Sequence, residues 1–447
     1  MTRLSSEKLI LRMIYKPMTK IWQKSNLKSN PIIEKYNTGD DYVMDMEIFP
    51  YDVLASSAHA EMLGLIGVLS NKEVASLVHE LGVLLKKFND GEIKIKVEDE
   101  DCHTVIENFL IEKLGDVGKK IHTGRSRNDQ VLTAVRLYAV SKLQTIATLN
   151  KEVAGAFITF AEKHENDPLP GYTHTQQAML SSFGHWSLSF AEGLINDQEI
   201  LHKAIDINNQ NPLGTAAGFG VSFPLDREYT RKKLNFDKNI VNSLFAQASR
   251  GKFESLTLEA LSQIMLTLSR FATDMLFFTA RETGFVKVSE SLTTGSSIMP
   301  QKKNLDSMEL IRGNTSIVFS HQFAIKNLPK GVISGYNRDL QLIKKPLIES
   351  LNIVHASLEV VREFIQGMEI DKDAVEKIVK KDIFAADMAN EMVEKDGISF
   401  RDAYVKVGQA LDEVKNVNLE ENIKSKKSLG SPGNLDLDYY KKILKEL

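Results

Sequence analysis

The chain has 447 residues, 43% hydrophobic and 26% charged, with a formal net charge of −3. That balance suits an ordinary globular protein with a large core and gives a general nucleic-acid-binding role no electrostatic support, while a small anionic substrate at a local basic pocket stays open. A single cysteine, Cys102, excludes an intrachain disulfide, and no run of 18 apolar residues offers a membrane span, so the expected setting is cytoplasmic.

The first 28 residues hold seven Lys or Arg against one Glu. They lack a clean apolar face and a processing signal, which favours a plain basic helix over a targeting peptide. The rest of the first 120 residues read as shorter helices. Over 128–164, Val135, Ala139, Leu143, Ile146, Val153 and Phe157 form one stripe, and Asn128 or Asp129 can cap its start. A further helix is expected over about 176–209. The stretch 252–283 contains neither Pro nor Gly, and Leu261, Ile264, Met265, Leu268, Ala272, Met275 and Leu276 recur at helical steps. Another helix is expected from near Leu305, and one more after Asn337, with Pro346 kinking it. Turn-rich segments separate these runs at 167–171, 211–220, 284–304 and 329–335, and the tail has a turn at 430–433 before a last short helix. Helices of this length, without strict heptads or an apolar span, leave a long-helix bundle. The expected fold is all-α in three parts: a helical N-terminal domain (1–123), a central bundle (124–370) and a small helical C-terminal domain (371–447).

Four segments carry candidate chemistry. The run Gly295-Ser296-Ser297-Ile298-Met299-Pro300-Gln301-Lys302-Lys303-Asn304 sets two lysines and an amide ahead of a helix start, where backbone N–H groups form an anion site; the composition fits a solvated linker equally well. Thr123-Gly124-Arg125-Ser126-Arg127-Asn128-Asp129 puts two arginines before a helix, suited to a carboxylate, a phosphate or a structural acidic partner. Pro170-Gly171-Tyr172-Thr173-His174-Thr175-Gln176 places a histidine just ahead of the expected helix at 176, a position open to a structural or a catalytic role. Tyr336-Asn337-Arg338-Asp339-Leu340-Gln341, followed by Lys344, puts 336, 340/341 and 344 on one helical side; the alternative is a polar helix start with Lys344 in solvent.

Together these segments resemble a known family. The run GSSxMPxKxN, with Glu309 beyond it, is similar to the signature of the aspartase/fumarase superfamily, and TGRSRND resembles its argininosuccinate lyase branch. PGYTHTQ and YNRDLQ resemble that branch's PGYTHxQ and YNKDLQ, with Arg338 where lysine is usual. Glu100-Asp101-Cys102-His103 with Glu107 and the stretch from Pro212 to Arg227 are further matches, so the resemblance covers about residues 52–408. It fails at the N-terminus, where Ile21-Trp22-Gln23 replaces the usual LWGGRF and a substrate-contacting serine near 38–40 is not found.

The resemblance implies cleavage of argininosuccinate into arginine and fumarate. Ser296 would take a β-proton, and the costly feature is the dianion that accumulates on the neighbouring carboxylate. Lys302 and the loop N–H groups would stabilise the serine alkoxide. Lys302, Gln301 and Asn304 would hold the carboxylate, with Arg125, Ser126, Arg127, Asn128 and Thr173 completing the anion-binding set. Tyr336, Gln341 and Lys344 would grip the arginine end, and His174 paired with Glu309 would serve as acid or charge relay. The resemblance implies no cofactor and no metal, and no cluster with metal-ligand spacing is visible along the chain. It also implies a homotetramer whose sites are shared between subunits. Within the fold, adenylosuccinate lyase, fumarase and aspartase are the alternatives, and a non-enzymatic crystallin-like role is the alternative from another class.

Overall fold

A computed structural model describes residues 30–447; the basic segment 1–28 and Ile21-Trp22-Gln23 lie outside the described residues. The chain forms two compact units, each assembled from three segments. The first takes the chain up to Ser141 together with Asp206–Glu254 and Ala324–Ile348; the second takes Lys142–Ile205, Ser255–Phe323 and Glu349–Leu447. Helices dominate both, as the periodicity predicts.

The first unit opens with helices Pro31–Thr38, Asp41–Leu65, Asn71–Asn89 and Cys102–Leu114. Helix Asn71–Asn89 starts on a capping box: the Ser70 hydroxyl accepts from the Glu73 N–H, and the Glu73 carboxylate accepts from the Ser70 N–H. Leu77, Leu81 and Leu84, spaced by four and three, are fully buried on one face, each contributing roughly 2 kcal/mol. Phe88 stacks on Phe49 of Asp41–Leu65 with ring centroids 4.7 Å apart. Asp41–Leu65 runs 25 residues through Pro50, longer than the short helices expected there. Its inner face is unusual in carrying the buried groups Asp45, Asp52, Ser56 and His59.

The long helices begin and end close to the expected places: Arg127–Lys163, Lys252–Phe278 and Asp306–Asn327. In the second unit Phe157, Trp186, Phe190 and Phe271 interlock, with Phe157–Phe271 centroids 5.2 Å apart and Trp186–Phe190 centroids 5.3 Å apart. The Trp186 indole N–H donates to Asp274 at 2.8 Å, satisfying its polar end.

Two expectations are corrected. Residues 176–182 are not helical: Gln176–Ser182 pairs antiparallel with Pro168–Thr173, and the helix starts only at Phe183. Gly171 is required there, because a Cβ on it would meet the Met179 carbonyl oxygen at 2.9 Å. Pro346 kinks nothing. After a 3-10 turn over Arg338–Ile343, it is the third residue of helix Lys344–Gly367, where a missing N–H breaks no intrahelical bond.

Candidate active site

The first unit contains a cleft lined by residues of two predicted motifs: Arg127 and Asn128 from one, Tyr336, Gln341 and Lys344 from the other. Lys344 is buried, not in solvent. Its ammonium makes a short contact with the Asp45 carboxylate and lies 3.2 Å from Asp41. Burial alone would lower its pKa, yet Asp45 and Asp41 hold it above the ordinary lysine range. Burial pushes the Asp41 carboxyl up to about 6, against the lowering pull of Lys344. The Arg338 and Gln341 side chains both donate to the Asn37 carbonyl, at 2.8 and 3.0 Å, fixing the corner that precedes Asp41.

On the opposite motif, Arg127 reaches Asp101 at 3.0 Å and donates to Thr104 at 2.8 Å. The Arg250 guanidinium donates to the Asn128 carbonyl at 2.6 Å and stands 5.1 Å over the Tyr336 ring. Asp129 is fully buried and accepts from the Ser126, Gly214 and Ala216 N–H groups at 2.9–3.0 Å, pinning the motif to the 211–220 loop. Ser126 turns its hydroxyl to the Asn128 N–H at 3.2 Å. Arg125 is also buried and donates to Ser56 at 2.9 Å, outside the cleft lining.

Beneath the cleft lies a buried ionic network. His103 Nδ1 meets Asp52 at 2.5 Å, and the Gln130 amide donates to both Asp52 oxygens at 2.9 and 3.1 Å. Burial would raise the Asp52 pKa, but His103, Arg125 and Gln130 carry it below the usual carboxylate range. Burial would likewise lower His103, and Asp52 outweighs it, leaving the imidazole raised. The structure also brings Asp45, Cys102 and His103 together, their ligand atoms within 4.8 Å of one another, a grouping that spacing along the chain does not reveal. All three are engaged elsewhere: Asp45 with Lys344, His103 with Asp52, and the Cys102 thiol, 3.6 Å from Asp52, is pushed well up by burial.

The second unit holds the other two motifs. The 295–304 loop is closed at its base by Thr294-Gly295 pairing with Lys303-Asn304, by Thr294 donating to Asp306 at 2.6 Å, and by a Lys303–Glu290 ion pair at 2.7 Å. Inside it, the Ser296 oxygen accepts from the N–H groups of Met299 at 3.2 Å and Ile298 at 3.4 Å. Gln301 and Lys302 are exposed and Asn304 half-buried. His174 is not at a helix start. With Thr175 it forms the two-residue turn of the hairpin, both at positive φ (50° and 63°), and Thr173 precedes it, also exposed. Glu309, exposed in the first turn of Asp306–Asn327, makes no hydrogen bond or ion pair with His174 among the described residues of this chain.

Asp41, Asp45, Glu254 and Arg250 line the cleft but belong to none of the motifs. A signal for the first two was present: Asp41, Asp45, Asp52 and His59 stand four, eleven and eighteen residues along one helix, hence on one face.

A family profile described as a lyase matches residues 17–320. The argininosuccinate lyase of Thermotoga neapolitana is 44% identical over 390 residues, 87% of this chain and 98% of that one. The argininosuccinate lyase of Xanthomonas euvesicatoria pv. vesicatoria is 39% identical over 419 residues, 94% of this chain and 96% of that one. Among solved structures, EDDS lyase in complex with formate has the same fold, with a TM-score of 0.79 at 21% identity, covering 94% of this chain and 91% of that one.

Proposed function

Because the chain belongs to the argininosuccinate lyases, whose reaction eliminates fumarate from argininosuccinate to leave L-arginine, we propose that its four motif segments supply the groups for that elimination. Ser296 is the base. The observation that carries this is the pair of N–H groups, from Ile298 and Met299, directed at its oxygen. A serine hydroxyl is a weak base, and donors held against the oxygen favour its alkoxide. The alkoxide takes the β-proton, the electron pair delocalises into the adjacent carboxylate, and its collapse breaks the C–N bond to release fumarate. Lys302, Gln301 and Asn304 stabilise the dianion, with Arg127, Asn128 and Thr173 on the carboxylates and Ser126 setting the Asn128 backbone. Arg125 acts from beneath through Ser56. Tyr336, Gln341 and Lys344 hold the arginine end, and His174 with Glu309 relays the proton.

The working form is a homotetramer with shared sites. Helix Arg127–Lys163 has 37 residues and is roughly 55 Å long. TGRSRND stands at the start of this helix and the His174 hairpin follows it in the chain, an order that supports drawing the two from different copies. The exposure of His174, Lys302 and Glu309 fits sites completed by a second chain. A cytoplasmic setting fits a chain with one cysteine in which, among the described residues, no helix is long and apolar enough to cross a membrane. The three-part division at residues 123 and 370 belongs to the same proposal, as sites where limited proteolysis should cut first.

The test is direct. Purified protein incubated with argininosuccinate should release fumarate, followed by its absorbance. Turnover of adenylosuccinate or malate instead would sink the reading. Ser296→Ala should lower kcat by about a thousandfold while leaving substrate binding and assembly intact; a near-normal rate would place the base elsewhere.

A further inference from the structure

The cleft of the first unit holds more carboxylates than the elimination requires. Asp45 is fully buried and engaged by Lys344 and by the Cys102 N–H at 2.9 Å. Asp101 accepts from Thr104 through both its N–H and its hydroxyl, at 2.8 Å each, and pairs with Arg127. Glu254 accepts from the Gly251 N–H at 2.6 Å. Asp41 is different. Its polar partner among the described residues is Lys344 at 3.2 Å, an ammonium already held more closely by Asp45, and its side chain keeps 20% exposure toward the cleft. A carboxylate can accept about four hydrogen bonds, so most of this acceptor capacity is open.

A cation and an anion 3.2 Å apart at a cleft wall are the complement of an α-amino acid zwitterion. Resting on the functional reading above, we propose that Asp41 is a specificity-determining residue that receives the α-ammonium of the substrate's arginine end while Lys344 takes the adjacent α-carboxylate. The succinyl end bears only carboxylates and would be repelled from Asp41, so the pair also sets the direction in which the substrate lies. The Arg338 and Gln341 bonds to the Asn37 carbonyl hold the turn that presents Asp41, so the acid is placed before the ligand arrives.

Arginine and fumarate are separate molecules on the product side, which lets the two ends be tested apart. Dissociation constants for L-arginine and for 5-guanidinopentanoate, the same skeleton without the amino group, should be measured by calorimetry on the assembled protein and on Asp41→Asn. The variant should bind arginine about ten- to a hundredfold more weakly and 5-guanidinopentanoate within about twofold of the parent, so discrimination between the two collapses. In the cleavage direction its KM should rise more than its kcat falls, and Asp41→Glu should recover part of the arginine affinity. Equal weakening of both ligands, unchanged arginine binding in the variant, or no arginine binding by the parent would overturn the assignment. Failure of the functional reading looks different: the parent protein itself would release no fumarate from argininosuccinate.

Discussion

Asp52 and His103 show how a side chain outside the reacting set governs the cleft. Removing one partner of a buried ion pair leaves the other charge uncompensated, so Asp52→Asn should destabilise the fold by about 3–5 kcal/mol. His103 holds its proton more tightly folded than unfolded, so its contribution is complete below about pH 6.5 and fades as pH rises through its raised value. Asp52 contributes fully above about pH 4, and that share is lost as pH falls through its lowered value. The gap between parent and Asp52→Asn urea midpoints should therefore be widest near pH 5–6 and narrower at pH 9; a pH-independent gap would mean the pair is not ionic. Ser296, Lys302, His174 and Tyr336 could be singled out as candidates because they sit in contiguous runs whose residue types are odd for a surface loop. Asp41, Asp45, Asp52 and His59 form no run. Their common face exists only once Asp41–Leu65 is known to be one helix that runs through Pro50. Lys344 was read in its right place, but its two carboxylate partners come from sequence some 300 residues away.

At the scale of elements, periodicity found the long helices, with ends no more than seven residues from the expected places, since each buries one wide apolar stripe. It failed at the hairpin. The strand Gln176–Ser182 is only partly buried along its length, so it lacks a clean two-residue alternation. Its turn uses His174 and Thr175 at positive φ in place of the glycine or asparagine that normally announces such a loop. A β-branched residue in that conformation is strained. Thr175→Gly should relieve the strain and raise stability by about 1 kcal/mol, while the relay role proposed for His174 requires kcat to fall. The measurements are a melting curve and steady-state kinetics on one preparation, and a destabilised variant would show that Thr175 carries contacts that outweigh its strain.

For the molecule as a whole, the apolar side chains left exposed on this chain give the proposed assembly a test. Leu310 and Ile317, seven residues apart on one face of Asp306–Asn327, are 64% and 45% exposed, and Leu266 and Phe277 repeat the pattern eleven residues apart on Lys252–Phe278. Replacing Leu310 and Ile317 together by glutamate should shift the protein to smaller species in light scattering and abolish turnover with helicity retained. A fully active monomer would end the shared-site reading. Each unit is woven from three stretches of chain, with a consequence for synthesis. The first unit lacks Ala324–Ile348 until three-quarters of the chain has been made, so on the ribosome Asp45 has the Cys102 N–H to engage it but waits for the Lys344 ammonium. The first unit's cleft is thus completed only late in synthesis, and truncated translation products should be prime clients for chaperones and proteases.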